Sequence, residues 1–250
     1  MLDESWLGRR SLTWGASELS PIVHFLGGAE FAKDFGGGQF ATEWRKWVKD
    51  ESALPKQKRQ RGKTLPHMKC PRALYRKAGL MARRKAGAAA QQGLRRELEV
   101  LNAARPLLKD LFDIAYADSV PRSWFPLIDR RSPSLSATPD SWGTDIFGDH
   151  VTIEIKTTRE MMDAIPLSYL VQVHAQMAVM NAAGARLVVG HCYANPRVPD
   201  GEITVHRIDR NERIIDAVRE AASIAGEWLK ETILEDKDES DSTSTSECAA

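Results

Sequence analysis

Val151-Thr152-Ile153-Glu154-Ile155-Lys156-Thr157 alternates apolar residues with polar or charged ones, the two-residue period of a half-buried β-strand. Successive side chains leave a strand on opposite faces, so Glu154 and Lys156 project together while Ile155 points into the core. Thirteen residues separate Glu154 from Asp140 in Thr138-Pro139-Asp140, and the two carboxylates are expected on adjacent strands. Such a pair supplies the hard oxygen ligands that Mg2+ prefers, and Mg2+ takes only one or two carboxylates from a protein. The backbone carbonyl of Ile155 offers a third oxygen. Lys156 beside them can orient or deprotonate an attacking water and stabilise developing charge. Hydrolysis of a phosphodiester asks for this combination, because a metal polarises the phosphate and activates water. The bare pattern is short, however, and an exposed strand with an incidental Glu/Lys pair satisfies it equally.

Outward from this strand, residues 167–183 read as a helix, 186–193 and 202–208 as strands, and 211–233 as an amphipathic helix. Val218, Ala222, Ala225 and Leu229 share one face of that last helix. Upstream, 112–117 and 124–128 are short strand candidates, and the Ser/Pro-rich stretch 131–139 reads as a connection. Residues rich in Ala, Leu, Arg and Gln predict helices over 71–80 and 86–104. Shorter helices are expected around 18–26, where Pro21 suits a first turn, and 40–48. The order predicts an α/β (α+β) fold, a central mixed sheet flanked by helices.

The 250 residues, 42% hydrophobic and 28% charged, suit a globular protein with a sizeable core. The expected organisation is a single domain over 1–234 with a basic helical N-terminal portion, then a disordered acidic tail over 235–250. The net charge of +1 hides a strong asymmetry: the tail carries −5, while residues 52–96 hold fourteen Lys or Arg and no acid. Such a block is a footprint for phosphate, or else a solvated basic face. Three scattered cysteines exclude a disulfide framework and a four-cysteine cluster. No apolar run approaches a membrane span, and no secretory signal opens the chain, so a cytoplasmic location is expected.

Three features strengthen the metal-site reading. Glu97, in Gly93-Leu94-Arg95-Arg96-Glu97, puts a further acid on the helix upstream. Tyr169, Gln172 and Gln176 share one face of the helix downstream; a row of amides is unusual for a core stripe and can hydrogen-bond the catalytic groups or DNA, unless it is a polar exposed face. Arg10 and Ser17 flank a helix start, where a phosphate is readily held. Trp14, beside Ser17, is a candidate for stacking on a base, and is equally well explained as a packing residue.

Together these segments resemble the lambda-type (YqaJ-type) phage recombination exonucleases, a branch of the PD-(D/E)XK nuclease superfamily with a restriction-endonuclease-like core. The matching pieces are Arg10 with Ala16-Ser17-Glu18, Gly93 with Glu97, Pro139-Asp140, Glu154-Ile155-Lys156 and Tyr169 with Gln172-Val173. Tyr193-Ala194-Asn195-Pro196-Arg197 resembles a late segment of that family. The resemblance implies that Glu97, Asp140 and Glu154 belong to the metal site, with Lys156 assisting the water and Gln172 supporting the site; with the Ile155 carbonyl, this ligand set accepts Mg2+ or Mn2+. It implies that Arg10 and Ser17 bind the terminal phosphate of a DNA end; Tyr169 and Gln176 are further expected DNA contacts. It also implies a 5′→3′ exonuclease on duplex DNA that leaves a 3′ overhang for a single-strand annealing protein. A ring-shaped homotrimer and action in the cytoplasm of a phage-infected or bacterial cell go with that reading. Two alternatives stay open: a structure-specific or RecB-like endonuclease of the same fold, and a catalytically silent DNA-binding recombination scaffold.

Overall fold

Alternation over 151–157 becomes a nine-residue strand, His150–Thr158, with partners on both sides. The computed structural model describes residues 13–19, 23, 88–119, 125–158, 162, 165–191 and 201–244. In chain order its strands are β1 (Trp14–Gly15), β2 (Phe112–Tyr116), β3 (Leu127–Ile128), β4 (Leu135–Ala137), β5 (Ser141–Thr144), β6 (His150–Thr158), β7 (Gly184–His191) and β8 (Ile203–Asp209). The helices are α1 (Ala88–Ala104), α2 (Leu167–Met180) and α3 (Glu212–Ser244). The main sheet runs β2-β5-β6-β7-β8 and is mixed: β6 and β7 are parallel, the other neighbours antiparallel. A parallel pair needs a crossover, and α2 provides it. A small second sheet runs β1-β4-β3.

The faces of β6 sort the molecule into two cores. Val151, Ile153 and Ile155 pack with Val100, Leu101 and Ala104 of α1. On the other side of the sheet, Val171, Val173, Ala175 and Met177 of α2 are buried with Ile215, Val218, Ala222, Ala225 and Leu229 of α3. The four residues expected on one face of the last helix are all in that core. Every residue of β7 is buried, as befits a central strand covered on both faces.

Three sequence expectations are corrected. The stretch 131–139 is not a plain connection, because Leu135–Ala137 is a wholly buried strand held between β1 and β3. Three residues are too few to show a period, so the pairing is tertiary. The strand expected at Asp140, to which the sequence assigns no bounds, begins one residue later and is Ser141–Thr144; a Cβ at Gly143 would lie 2.9 Å from the Phe112 carbonyl oxygen, so β2 can lie alongside only because no side chain is there. Helix α3 runs on past 233 to Ser244, into the segment expected to be disordered. Once its apolar face is docked, each further residue needs only propagation, and Glu and Lys propagate well.

The loop from β3 to β4 is pinned to α3. Asp129 is buried, accepts backbone N–H bonds from Arg131 and Ser132 at 2.8 and 2.7 Å, and meets the Arg219 guanidinium at 3.0 Å. Two helical turns further along, a Cβ on Gly226 would collide with Ser134 Oγ and fall 2.7 Å from its Cβ. Gly226→Ala gains about 1 kcal/mol of helix propensity, but overpacking costs about 1–3 kcal/mol. Net loss of thermal stability is expected, with recovery in Gly226→Ala/Ser134→Gly; a more stable single variant would show that this approach is not close.

Candidate active site

Strand β5 stops short of the end of β6. Its first residue, Ser141, pairs with Ile153, so Glu154, Ile155 and Lys156 extend past β5 along an uncovered edge. Asp140, immediately before β5, closes part of that gap: its Oδ2 accepts the Ile155 N–H at 2.8 Å. N–H and C=O of one strand residue point to the same side, so the Ile155 carbonyl is directed to the same opening. Here side chains from both faces of the sheet meet, Glu97 arriving from α1 and Glu154 from the α2 side. They line a cleft of about 340 Å3 together with Asp140, Ile155, Lys156 and Gln172. The facing wall is Gly15, Ala16 and Ser17 with Ser136, Ala137 and Thr138.

Glu154 is only 1% exposed, and its carboxylate accepts from three side chains, two on Oε1 and one on Oε2. Gln172 Nε2 donates to Oε1 at 2.6 Å, Lys156 Nζ donates to the same oxygen, and Gln176 Nε2 donates to Oε2. Alternation along β6 and the four-residue spacing on α2 bring all three donors to one carboxylate. The Lys156 ammonium also lies 5.3 Å from the centre of the Tyr169 ring, within cation–π range.

The charges are crowded and partly desolvated. Burial, then the Glu154 and Glu97 charges, raise the Asp140 carboxyl well above its usual range. Burial, then Glu154, raise Glu97 to about 7. Burial disfavours the Lys156 ammonium, but the Glu154 and Asp140 carboxylates outweigh it and raise the group overall. Between its ordinary value of 4.5 and about 7, Glu97 holds a proton in the folded chain that it loses on unfolding. Its contribution to stability is therefore full below 4.5 and lost as pH rises through about 7. In chelator, Glu97→Gln is expected to melt above the parent protein at pH 8, with the gap shrinking as pH falls; a gap independent of pH contradicts this origin.

Glu97, Asp140, Glu154, Ile155, Lys156 and Gln172 thus line one cleft, and Ser17 lines it too, on the turn Ala16–Glu18. Tyr169 lies against Lys156. The assignment of Gln176 to DNA is corrected: it is fully buried, and its amide donates to Glu154, the other partner open to the row of amides. The spacing that put it on the Gln172 face was right, but that face looks into the protein. Trp14 is another correction, since at 2% exposure it belongs to the core and cannot stack on a base. Arg10, residues 193–197 and nearly all of the basic block lie outside the described residues. Sequence reasoning missed Tyr116, whose hydroxyl donates to Glu97 Oε2 at 3.4 Å, and Thr138 on the cleft wall.

No known family's sequence pattern matches the chain, and no curated protein matches it. Solved structures do. An alkaline exonuclease, LHK-Exo from Laribacter hongkongensis, superimposes with a TM-score of 0.56 over 96% of this chain and 100% of its own, at 15% identity. LHK-Exo in complex with dAMP gives 0.59 over 97% and 100%, at 14% identity. The shared feature at that identity is the fold: an α+β arrangement with a mixed sheet between helices.

Proposed function

We propose that this protein is a metal-dependent deoxyribonuclease that degrades one strand of linear duplex DNA from its 5′ end, leaving a 3′ overhang for annealing-based recombination. One observation carries the reading: Glu97, Asp140, Glu154 and Lys156 converge in a single cleft at the open edge of β6. The fold supports it, since a protein of the same architecture is an alkaline exonuclease, and that protein's complex with dAMP makes a nucleotide a fitting ligand.

Among the described residues, no three His, Cys, Asp or Glu side chains gather into a metal cage. Magnesium does not need one, as it binds through one or two carboxylates and keeps several waters. The donor chemistry fits: Asp140, Glu154 and the Ile155 carbonyl are hard oxygens, with Glu97 opposite them. Carboxylates that raise one another's proton affinity also favour a dication between them. Mg2+ or Mn2+ bound there supplies the polarisation of the phosphate and the activation of water. The chain's own residues do the rest. Gln172 and Gln176 fix the Glu154 carboxylate, and Asp140 is fixed by the Ile155 N–H. Lys156, held between Glu154 and Tyr169, brings positive charge to the attacked phosphate. Ser17 and Thr138 face them with hydroxyl donors, and Ser17 with Arg10 is assigned to the terminal phosphate. Trimeric assembly, an annealing partner and a cytoplasmic site of action belong to the same proposal.

The experiment is digestion of a duplex labelled at one phosphorylated 5′ end, with and without Mg2+, beside closed-circular DNA. Metal-dependent release of label from the linear duplex alone is expected. Cutting of closed circles points to the endonuclease instead, and tight binding without cleavage in Mg2+ points to a silent scaffold.

A further inference from the structure

We infer that Tyr116 is a positioning residue that holds Glu97 toward the cleft, aimed there by a bulge in β2; the inference rests on the metal-site reading above. Phe112 pairs with Thr144 and Ala115 with Trp142, so three steps along β2 match two along β5. The extra residue lies in the interval after Phe112, where Asp113 has a φ of 50°. An extra residue reverses the alternation of everything that follows it. Phe112 opposes Thr144, which opposes His150, on the Glu154 face of β6. Tyr116 opposes Ser141, which opposes Ile153, on the α1 face. An unbulged β2 would send both even-numbered residues to one face. The bulge sends Tyr116 to α1, where it packs partly on the α1 core and its hydroxyl meets Glu97 Oε2 at 3.4 Å.

The same segment ties Glu97 to Asp140. The N–H of Ala117, next to Tyr116, donates to the Asp140 carbonyl oxygen at 2.9 Å, and Ser141 Oγ donates to the Ala115 carbonyl. Tyr116 therefore stands on the strand end that is fastened to Asp140 while its hydroxyl touches the acid of α1. It fixes how far apart these two carboxylates stand, which determines whether one cation serves both. Glu97 is half-buried on α1, with exposed neighbours Leu98 and Glu99, and the Tyr116 hydroxyl is its hydrogen-bond donor.

The test is Tyr116→Phe, which keeps the ring and removes the hydroxyl. Its readout is Mn2+ binding to the protein without DNA, followed by the paramagnetic signal of the free ion. Affinity is expected to fall about tenfold, the lower end of what groups supporting a metal ligand contribute, with an unchanged melting temperature in chelator. In Glu97→Gln, adding Tyr116→Phe should weaken Mn2+ no further, because the hydroxyl acts through Glu97. Wild-type affinity in Tyr116→Phe overturns the inference, as does a second tenfold loss in the double variant. If the wild-type chain neither binds Mn2+ nor cuts DNA, the metal-site reading falls and takes this inference with it. Asp113→Gly, which accommodates a positive φ, should keep both the bulge and the affinity; loss of affinity there would show that the Asp113 side chain, not the bulge, does the aiming.

Discussion

Asp140→Asn is expected to lower the rate of DNA cleavage by about a hundredfold to a thousandfold while the protein stays folded. The size follows from what single charged groups supply at a phosphoryl centre, about 10²–10³ for one electrostatic partner. The folding half of the expectation comes from the Ile155 N–H, which Asp140 Oδ2 accepts at 2.8 Å. Asparagine keeps an acceptor oxygen for that bond; alanine would leave the N–H without it, and the loss would mix stability with chemistry. Substituting Asp140 also relieves a crowded carboxylate whose proton affinity is raised by burial and by its neighbours. The variant should accordingly melt at or above the parent temperature in chelator. Lys156→Ala is expected to be comparably inactive, since it removes the ammonium held between Glu154 and Tyr169. End-labelled duplex with Mg2+ measures both, and near-normal cleavage by either variant would falsify the catalytic assignment.

The largest expected effect on stability lies away from the cleft, at Asp129. This carboxylate serves two backbone N–H groups and the Arg219 guanidinium, and its side chain is 1% exposed against 13% for Arg219. Asp129→Ala leaves a largely buried cation with a distant partner, Asp216 at 3.9 Å, and strands two amides. Breaking a buried pair from one side costs about 3–5 kcal/mol, which for a chain of this size lowers the melting temperature by roughly 10 °C. The consequence reaches the site, because the Asp129 loop leads into β4 and then to Ser136, Ala137 and Thr138 on the cleft wall. Calorimetry of Asp129→Ala checks the expectation, and a shift under 2 °C would show that the pair contributes little. Asp129→Asn should lose less, since the amide oxygen can still accept from Arg131 and Ser132.

Sequence and structure contributed unequally from element to element. Residues 151–157 announce β6 because a two-residue period survives wherever one strand separates two cores. Helices α1, α2 and α3 are legible for the corresponding reason, an apolar stripe or a run of good helix formers. Strand β4 was illegible, and β5 was expected only as a neighbour of the Glu154 strand, without bounds. One is three residues long and the other contains Gly143, so their existence depends on neighbours supplied from over a hundred residues away or across a hairpin. The same distinction separates Gln172 from Gln176: one helical spacing puts both on a face, but only packing against Glu154 says that the face is internal.

By itself the sequence determined the chemistry available to this protein: two acids and a lysine at strand and strand-end spacing, a third acid upstream and a row of amides downstream. Spacing acts through local geometry, and local geometry is encoded in the residues that obey it. Tertiary structure alone decided where β5 ends, and so where the edge of β6 stays open for Asp140 to fill. It also decided that Gln176 faces Glu154, that Trp14 is core, and that a one-residue bulge turns Tyr116 toward Glu97. Those outcomes depend on which strands pair and in what register, a matter of contacts between distant segments that no local pattern records.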